Sequence, residues 1–272
     1  MTTGRRTFSA ADRVVLGGTG IEVSRLAIGS GTNGGGQQSR QTRLGLPAFT
    51  SLILRAYERG ITFWDAADQY GSHPFFKKAL EQIRREEVVI LTKSITGRDP
   101  AGIRQDVDRF RQELDTDYID ILLLHGLTEA DWEGKYWKAL EFLAQAKEKG
   151  IIRAHGVSCH SLAALQKAAA IPWTDVIMAR LNYAGCHMDG APREVVPLLQ
   201  SAHRAGKGIV AMKILGCGLL ARRLEAALQF VLGLDCLDAF SVGFESQAEL
   251  EDLLHRLEQI IVPEAQPGKW EA

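Results

Sequence analysis

The sequence lacks the features of membrane, secreted and nucleic-acid-binding proteins. No apolar run approaches the roughly 20 residues that a transmembrane helix needs, and no apolar core follows the basic N-terminal residues, as a secretory signal would require. The four cysteines, Cys159, Cys186, Cys217 and Cys236, include no C-x-x-C pair, which favours reduced thiols over a disulfide framework. A formal net charge of −1 gives no electrostatic reason to expect a nucleic acid or an anionic membrane as partner. We therefore expect a cytoplasmic protein.

Short apolar runs alternate with longer amphipathic stretches, and 46% of the 272 residues are hydrophobic, enough for a large core. Eight apolar runs are typical of strands, at residues 25–29, 62–66, 88–93, 119–124, 154–158, 176–182, 208–213 and 239–243. Eight amphipathic stretches are typical of helices, at residues 47–59, 75–85, 100–114, 135–149, 162–170, 193–205, 223–232 and 247–259. This alternation indicates βα units, and eight of them predict an α/β fold, the (β/α)8 or TIM barrel. No linker-like change in composition divides the chain, so we expect residues 1–272 to form one domain.

Two glycine-rich segments have different expected structures. Gly17-Gly-Thr-Gly20 lies between residues that alternate like strands, and it lacks the third glycine of the dinucleotide-binding pattern G-x-G-x-x-G. We therefore expect an N-terminal β-hairpin over residues 13–23 instead of a phosphate-binding loop. The second segment, residues 29–38, follows the first barrel strand and so lies on the face where such barrels carry active sites. Its glycines predict a mobile loop.

Three successive strands each end with an ionisable side chain. Asp65, Lys93 and His125 are these residues, and Tyr70 follows Asp65 by five positions. Because the C-terminal ends of parallel strands meet at one edge of a barrel, we expect the four side chains to converge there. Two plainer interpretations stay open: Asp65 and Lys93 can form a structural ion pair, and an isolated histidine is more often a core residue than a catalytic one.

Other residues near the strand ends have competing interpretations. Three cysteines and two histidines follow the later strands and could bind zinc, namely Cys159, Cys186, Cys217, His160 and His187. Their spacings match no short chelating motif, so we expect no metal site.

Two tryptophans and three arginines outside the strand ends also have expected roles. We expect Trp132 to line a substrate pocket and Trp137 to pack its helix. The arginines Arg104, Arg109 and Arg111 alternate with acids and predict a solvated surface.

The strand-end motifs are similar to those of a known enzyme family. Residues 60–71, Leu91-Thr-Lys93, Leu124-His125 and Gly156-Val-Ser158 resemble the aldo-keto reductases, and the likeness extends over most of the chain. The resemblance implies a (β/α)8 barrel whose bottom is plugged by the hairpin. It also implies a catalytic tetrad made of Asp65, Tyr70, Lys93 and His125.

The chemistry of these four residues suits the reduction of an aldehyde or ketone. A carbonyl needs a hydride at its carbon and an acid beside its oxygen, and Tyr70 can be that acid. We expect the ammonium of Lys93 to lower the pKa of the phenol, and Asp65 to keep Lys93 charged. His125 would donate a hydrogen bond to the substrate oxygen.

None of the four residues offers a hydride, so the resemblance implies NADPH or NADH as cofactor. The implied cofactor-binding residues are Ser158, Asn182, Gly243, Glu245 and Ser246. The chain departs from the family pattern at Cys159, Arg180 and Met212, which stand where the family holds the nicotinamide. Glu245 replaces the arginine that would bind a 2′-phosphate, which predicts a weak preference for NADPH or a preference for NADH. Arg222 or Arg223 could supply the missing cation.

Two further functions stay possible. The first is a nucleotide-binding regulatory or sensor barrel with weak or vestigial activity, similar to family members that act as channel subunits. The second is a metal-dependent hydrolase on the same barrel. For the reductase, the expected partner is a small-molecule carbonyl compound, with no nucleic acid and no membrane. Short segments after Gly218 and after the last helix predict an open site.

Overall fold

In a computed structural model, which describes residues 5–95 and 99–263, eight parallel strands close into a barrel. The strands, in chain order, are β1 (Arg5–Thr7), β2 (Arg13–Val15), β3 (Glu22–Ser24), β4 (Leu26–Gly29), β5 (Phe63–Asp65), β6 (Val89–Ile95), β7 (Ile119–Leu127), β8 (Ile152–Cys159), β9 (Val176–Arg180), β10 (Gly208–Met212), β11 (Ala239–Val242) and β12 (Ile261–Pro263). The barrel runs from β4 to β11 in sequence order, and β11 pairs with β4 to close it. The predicted (β/α)8 architecture is therefore confirmed.

Helices connect the barrel strands and cover the outside of the barrel. They are α1 (Leu46–Glu58), α2 (His73–Leu80), α3 (Pro100–Leu114), α4 (Trp132–Lys135), α5 (Trp137–Glu148), α6 (Leu162–Ala170), α7 (Pro192–Arg204), α8 (Leu224–Leu232) and α9 (Gln247–Gln259). The one predicted for residues 75–85 stops at Leu80, and the one predicted for 135–149 is divided into α4 and α5. After Leu80, the Arg85 guanidinium carbon lies 4.3 Å from the centroid of the Tyr118 ring, and the guanidinium donates a 2.6 Å hydrogen bond to Asp120. The chain instead forms a 3-10 turn, Arg85–Glu87, before β6.

The predicted hairpin is formed by β2 and β3, and it closes the N-terminal end of the barrel. Its residues Leu16, Ile21 and Val23 are buried among the inward side chains of the barrel strands. Full burial of a side chain of this size stabilises a fold by about 1.5–3 kcal/mol. The hairpin therefore acts as the apolar floor beneath the barrel interior.

Two features lie at the edges of the described structure. β1 pairs with β12 in a small antiparallel sheet, which the sequence analysis did not predict. Residues 264–272, which carry part of the prediction of an open site, lie outside the described residues. The other part of that prediction rests on the link between Gly218 and Leu224, which is short and contains one 3-10 turn, Ala221–Arg223.

Within residues 5–95 and 99–263, every helix is too short or too polar to cross a membrane.

Candidate active site

The four tetrad residues meet at the C-terminal mouth of the barrel. Asp65 is the last residue of β5, Lys93 lies in β6 and His125 lies in β7, so neighbouring strands supply one each. Tyr70 ends a 3-10 turn, Asp68–Tyr70, that follows β5 directly. Every second side chain of a strand points into the barrel. Leu91 therefore lines the apolar interior, and Lys93, two residues further along β6, belongs to the polar layer at the mouth.

Lys93 and Asp65 form a buried ion pair with further hydrogen bonds. The Lys93 side chain is inaccessible to solvent, and its ammonium contacts Asp65 and donates to the Ala66 carbonyl at 2.8 Å. The Ser241 hydroxyl donates to the other carboxylate oxygen of Asp65 at 2.6 Å. Burial lowers the pKa of Lys93, and Asp65 opposes that effect. Sequence reasoning missed Ser241, although the alternation of Ala239 and Ser241 along β11 marks it as inward-facing.

Tyr70 faces His125 across the mouth. The Tyr70 hydroxyl lies 3.4 Å from His125 Nε2, and the two rings meet edge to face with centroids 5.5 Å apart. Lys93 Nζ lies 5.1 Å from the centroid of the Tyr70 ring and forms no hydrogen bond with its hydroxyl. Asp65 and the Ala66 carbonyl engage the ammonium, which therefore lies over the Tyr70 ring and not at its hydroxyl.

The pKa of Tyr70 also differs from the expectation. Although part of the residue remains in contact with solvent, burial of the phenol raises its pKa, and the nearby charge of Asp65 raises it further. The expected lowering by Lys93 is wrong in this structure. Tyr70 consequently carries its proton at neutral pH, which is the form that a general acid needs.

His125 is neutral at physiological pH. Burial lowers its pKa to about 3, and the nearby Lys93, His160 and Lys213 contribute in the same direction. Its Nδ1 atom is buried and has no hydrogen-bond partner among the described residues. A neutral imidazole carries one proton, and with that proton on Nε2 the ring could donate a hydrogen bond toward Tyr70 or a substrate oxygen.

The glycine-rich loop after β4 packs against Tyr70. A Cβ atom on Gly31 would lie 2.6 Å from Tyr70 Cδ2, and one on Gly34 would lie 2.9 Å from Cε1, so glycine is required at both positions. Gln37 donates from its backbone to the Gln69 carbonyl at 2.9 Å. The loop that the sequence predicts to be mobile is thus hydrogen-bonded to the turn that carries Tyr70.

A second support of that turn comes from α3. Asp68 accepts a 3.1 Å hydrogen bond from the Gln37 amide and pairs with Arg109 at 2.8 Å. Arg109 also pairs with Asp106 and Glu113, each at 2.9 Å. Arg109 keeps 37% of its side chain exposed, so it lies at the surface as expected, but it also links α3 to the turn that carries Tyr70. Sequence periodicity could not reveal its role, because Asp68 lies in a different element.

The predicted nicotinamide-binding residues lie on β8 and after β9. Ser158 is fully buried, and its hydroxyl has no hydrogen-bond partner among the described residues. Asn182 is also fully buried, but its amide nitrogen donates to the carbonyls of Cys186 at 2.8 Å and Lys213 at 3.3 Å. Asn182 therefore ties two loops together. Ser158 has the free donor that a ligand could use.

The predicted phosphate-binding residues lie between β11 and α9. Ser246 caps α9 by accepting a 3.2 Å hydrogen bond from the Glu249 backbone. Gly243 faces the loop after β4, where a Cβ would lie 2.7 Å from Gln41 Nε2. Glu245 pairs with Arg40 of the same loop at 3.1 Å. A cation thus stands beside Glu245, and it is Arg40, which the sequence analysis did not single out.

Three remaining predictions concern metal binding and aromatic packing. Cys159 is fully buried in the outer core, and burial raises the pKa of its thiol. Across residues 5–95 and 99–263, no cluster of three or more His, Cys, Asp or Glu side chains could hold a metal ion. Trp132 is fully buried and donates to the Ala164 carbonyl at 3.2 Å, whereas Trp137 is 55% exposed. The expectations for these two tryptophans were therefore wrong: Trp132 packs α4 against α6.

Comparisons with known proteins agree with the fold. The chain is 28% identical over 245 residues to an aldo-keto reductase of Alternaria alternata, in an alignment that covers 76% of this chain and 66% of that protein. It is 26% identical over 208 residues to the NADH-specific methylglyoxal reductase of Escherichia coli, which covers 68% of this chain and 63% of the relative. The alignments thus span slightly less than two thirds of these relatives.

A solved structure and a family-wide comparison extend this likeness. The holo form of an aldo-keto reductase from Bacillus halodurans matches with a TM-score of 0.72 at 23% identity, over 91% of each chain, which supports the fold. The sequence pattern of the Aldo/keto reductase family matches residues 25–257, which is most of this chain. The chain therefore belongs to the aldo-keto reductase family.

Proposed function

We propose that this protein is an NAD(P)H-dependent oxidoreductase that reduces an aldehyde or ketone to an alcohol, with Tyr70 as general acid. The observation that carries the proposal is the 3.4 Å separation of the Tyr70 hydroxyl and His125 Nε2 beside the buried pair of Lys93 and Asp65. A carbonyl oxygen that contacts both Tyr70 and His125 would have a proton donor and an orienting hydrogen bond at once.

The raised pKa of Tyr70 is compatible with this role. As the carbonyl is reduced, its oxygen gains the negative charge of an alkoxide, which is a stronger base than a phenolate. The proton therefore moves from Tyr70 Oη to that oxygen late in the reaction. Lys93 lies 5.1 Å from the centroid of the Tyr70 ring, and Asp65, which accepts a hydrogen bond from Ser241, holds the ammonium in place.

A reduced nicotinamide, NADPH or NADH, supplies the hydride when it is bound. The residues at the mouth fit such a cofactor, because the buried Ser158 hydroxyl and Arg180 Nε both lack partners among the described residues. These donors would hold the carboxamide. Gly243 and Ser246, at the N-terminal end of α9, would receive the ribose and phosphate groups, since a helix N-terminus favours anions.

The choice of nucleotide depends on Glu245 and its partner Arg40. Glu245 alone would repel a 2′-phosphate and could accept hydrogen bonds from a ribose diol. Arg40 neutralises part of that repulsion and could turn to a phosphate, so both nucleotides should bind. The Escherichia coli relative is named as NADH-specific for methylglyoxal, which supports NADH and small aldehydes as the first choices for assay.

The test measures oxidation of NADPH and NADH with a panel of aldehydes, ketones and quinones, together with the dissociation constant of each nucleotide. Turnover that is lost in Tyr70→Phe at unchanged nucleotide affinity would support the proposal. Tight nucleotide binding without turnover of any carbonyl would instead favour a regulatory or sensor barrel.

A further inference from the structure

A network of charged side chains lies outside the barrel strands, next to the elements that carry the tetrad. Its centre is Arg109, in α3. The guanidinium pairs with Asp68 at 2.8 Å and with Asp106 and Glu113 at 2.9 Å each. Three carboxylates from two elements, the turn after β5 and α3, therefore share one cation.

Two further contacts connect this network to β6. The Ser94 hydroxyl donates to Asp106 at 2.6 Å. His73, the first residue of α2, makes the second contact, because its Nδ1 lies 2.6 Å from Glu113 and its Nε2 lies 2.7 Å from the Thr92 hydroxyl. The network thus holds β6 at two positions.

These two positions flank Lys93 in the sequence. Side chains alternate along a strand, so Thr92 and Ser94 point outward to the helices while Lys93 points into the mouth. All three residues are fully buried. The outward hydrogen bonds therefore fix the stretch of backbone from which the ammonium projects.

The remaining carboxylate, Asp68, belongs to the turn that ends at Tyr70. Asp68 is buried, and its carbonyl accepts a 3.2 Å hydrogen bond from the Gly71 backbone, so this turn is compact. A displacement of Asp68 would therefore move Tyr70, which follows two positions later. Arg109 is consequently the junction between the support of β6 and the support of Tyr70.

The charges of the network favour this arrangement. Burial lowers the pKa of Arg109, but its hydrogen bonds with the three carboxylates outweigh burial and raise the pKa above its ordinary value. The hydrogen bond with His73 lowers the pKa of Glu113, burial opposes that effect, and Arg109 adds to it. Arg109 and Glu113 are therefore both charged at neutral pH. A guanidinium has five donors in a planar fork, which suits contact with several carboxylates at once.

We propose that Arg109 is a positioning residue for carbonyl reduction, which sets the place of Tyr70 relative to Lys93 by joining the turn after β5 to β6; this role rests on the reductase function proposed above. A small displacement of a reacting group lowers a rate steeply. Loss of Arg109 should thus lower turnover and leave nucleotide affinity unchanged, since the predicted cofactor-binding residues lie elsewhere, from β8 to α9.

The test uses two substitutions of Arg109 and one matched control. Arg109→Gln removes the charge, and Arg109→Lys keeps it but offers one nitrogen in place of a fork. The control is Arg111→Gln, because Arg111 lies two positions further along α3 and donates to the Asp117 carbonyl at 2.8 Å, outside the network. Asp68→Asn cuts only the contact with the turn, so it provides the same test if Arg109→Gln does not fold.

We expect Arg109→Gln and Asp68→Asn to lower kcat by about ten- to a hundredfold, with Arg109→Lys between them and the unmodified protein. The dissociation constants of NADPH and NADH should change by less than about threefold, and Arg111→Gln should leave kcat within about twofold. Each rate is divided by the concentration of nucleotide-binding sites, so that unfolded protein does not contribute. An unchanged kcat in both Arg109→Gln and Asp68→Asn would overturn the proposal.

A double variant separates positioning from general damage to the fold. If Arg109 acts through Tyr70, then Arg109→Gln should change the residual rate of Tyr70→Phe by less than about threefold, because the two losses are not additive. Equal fold-losses with and without the Tyr70 hydroxyl would mean that Arg109 acts on the fold alone, and the proposal would be wrong.

Hydrogen exchange tests the same role without any turnover. In Arg109→Gln the backbone amides of residues 66–72 and 89–95 should exchange about tenfold faster, while those of residues 208–212, on the other side of the barrel, stay unchanged. Unchanged exchange over residues 66–72 would overturn the proposal whether or not a carbonyl is reduced. If exchange rises as expected but the unmodified protein reduces no carbonyl, the reductase function fails while the link through Arg109 stands.

Discussion

The two halves of the barrel mouth are built on different kinds of contact. In the acid–base half, formed by β5 to β7, Lys93 is inaccessible to solvent and its partner Asp65 is hydrogen-bonded on both sides. In the ligand half, formed by β8 to β11, Lys213 forms no ion pair with any described residue although Asp189 acts on it through space, and the pair of Arg40 and Glu245 is 51% and 32% exposed. Breaking a buried pair costs about 3–5 kcal/mol, whereas an exposed pair contributes about 0–1 kcal/mol.

This difference indicates a division of tasks between the two halves. Under the proposed function, buried contacts would hold the groups that move a proton, and exposed or unpaired charges would adjust which ligand binds. Substitutions in the acid–base half should therefore change turnover, and those in the ligand half should change affinity and preference. The predictions below test this division.

The largest effect is expected at Tyr70. Tyr70→Phe removes the proton donor and should reduce turnover by roughly 10²- to 10⁴-fold, with nucleotide affinity little changed. The measurement is kcat with a reactive aldehyde, beside nucleotide titration. Tyr57→Phe is a matched control, because that hydroxyl donates to Glu87 at 2.7 Å outside the mouth. Full turnover in Tyr70→Phe would show that another group is the acid.

A smaller loss of turnover is expected at the glycines that pack on Tyr70. A methyl group on Gly31 or Gly34 would displace the ring, and a shift of about 1 Å can cost up to about a hundredfold in rate. We expect Gly31→Ala and Gly34→Ala to lower kcat by roughly ten- to a hundredfold. Gly35→Ala is the control, since no atom lies within 4 Å of a Cβ there. Equal rates in all three variants would mean that the loop does not position Tyr70.

In the ligand half, Glu245→Arg should change nucleotide preference and leave kcat nearly intact. It replaces a repelling carboxylate by a second cation beside Arg40, so the ratio of the NADH and NADPH dissociation constants should shift toward NADPH by about tenfold. Glu258→Arg makes the same charge change at the far, exposed end of α9 and serves as control. If NADPH binds more than about a hundredfold tighter than NADH in the unmodified protein and Glu245→Arg has no effect, other residues bind the 2′-phosphate.

The smallest change is expected in the pH profile of carbonyl reduction. Because the pKa of His125 is lowered to about 3 and that of His160 to about 4, both stay neutral above about pH 5. Tyr70, with a raised pKa, keeps its proton into the alkaline range. We therefore expect kcat/KM to vary by less than about threefold between pH 5.5 and 9. A fall on the alkaline side near pH 8 would indicate that Lys93 lowers the pKa of Tyr70 after all.

Much of the acid–base half could be predicted from the chain alone. Apolar alternation placed β5 to β7, and Asp65, Lys93 and His125 stood out as polar residues that end apolar runs. The ligand half was predicted less well. Asn182 was expected to contact the cofactor, but its amide is engaged by two loop carbonyls. The cation beside Glu245 came from Arg40, in a loop whose glycines had suggested only mobility.

The sequence by itself determined the barrel, its hairpin and the residue at the end of each strand, because periodicity and turn residues are local properties of the chain. Only the tertiary structure decided which atoms meet. Ser241 bonds to Asp65 across 176 positions of sequence, and Arg109 reaches Asp68 from another helix. It also decided the direction of the pKa shift of Tyr70, because burial and nearby charge act through space and depend on neighbours that sequence order does not reveal.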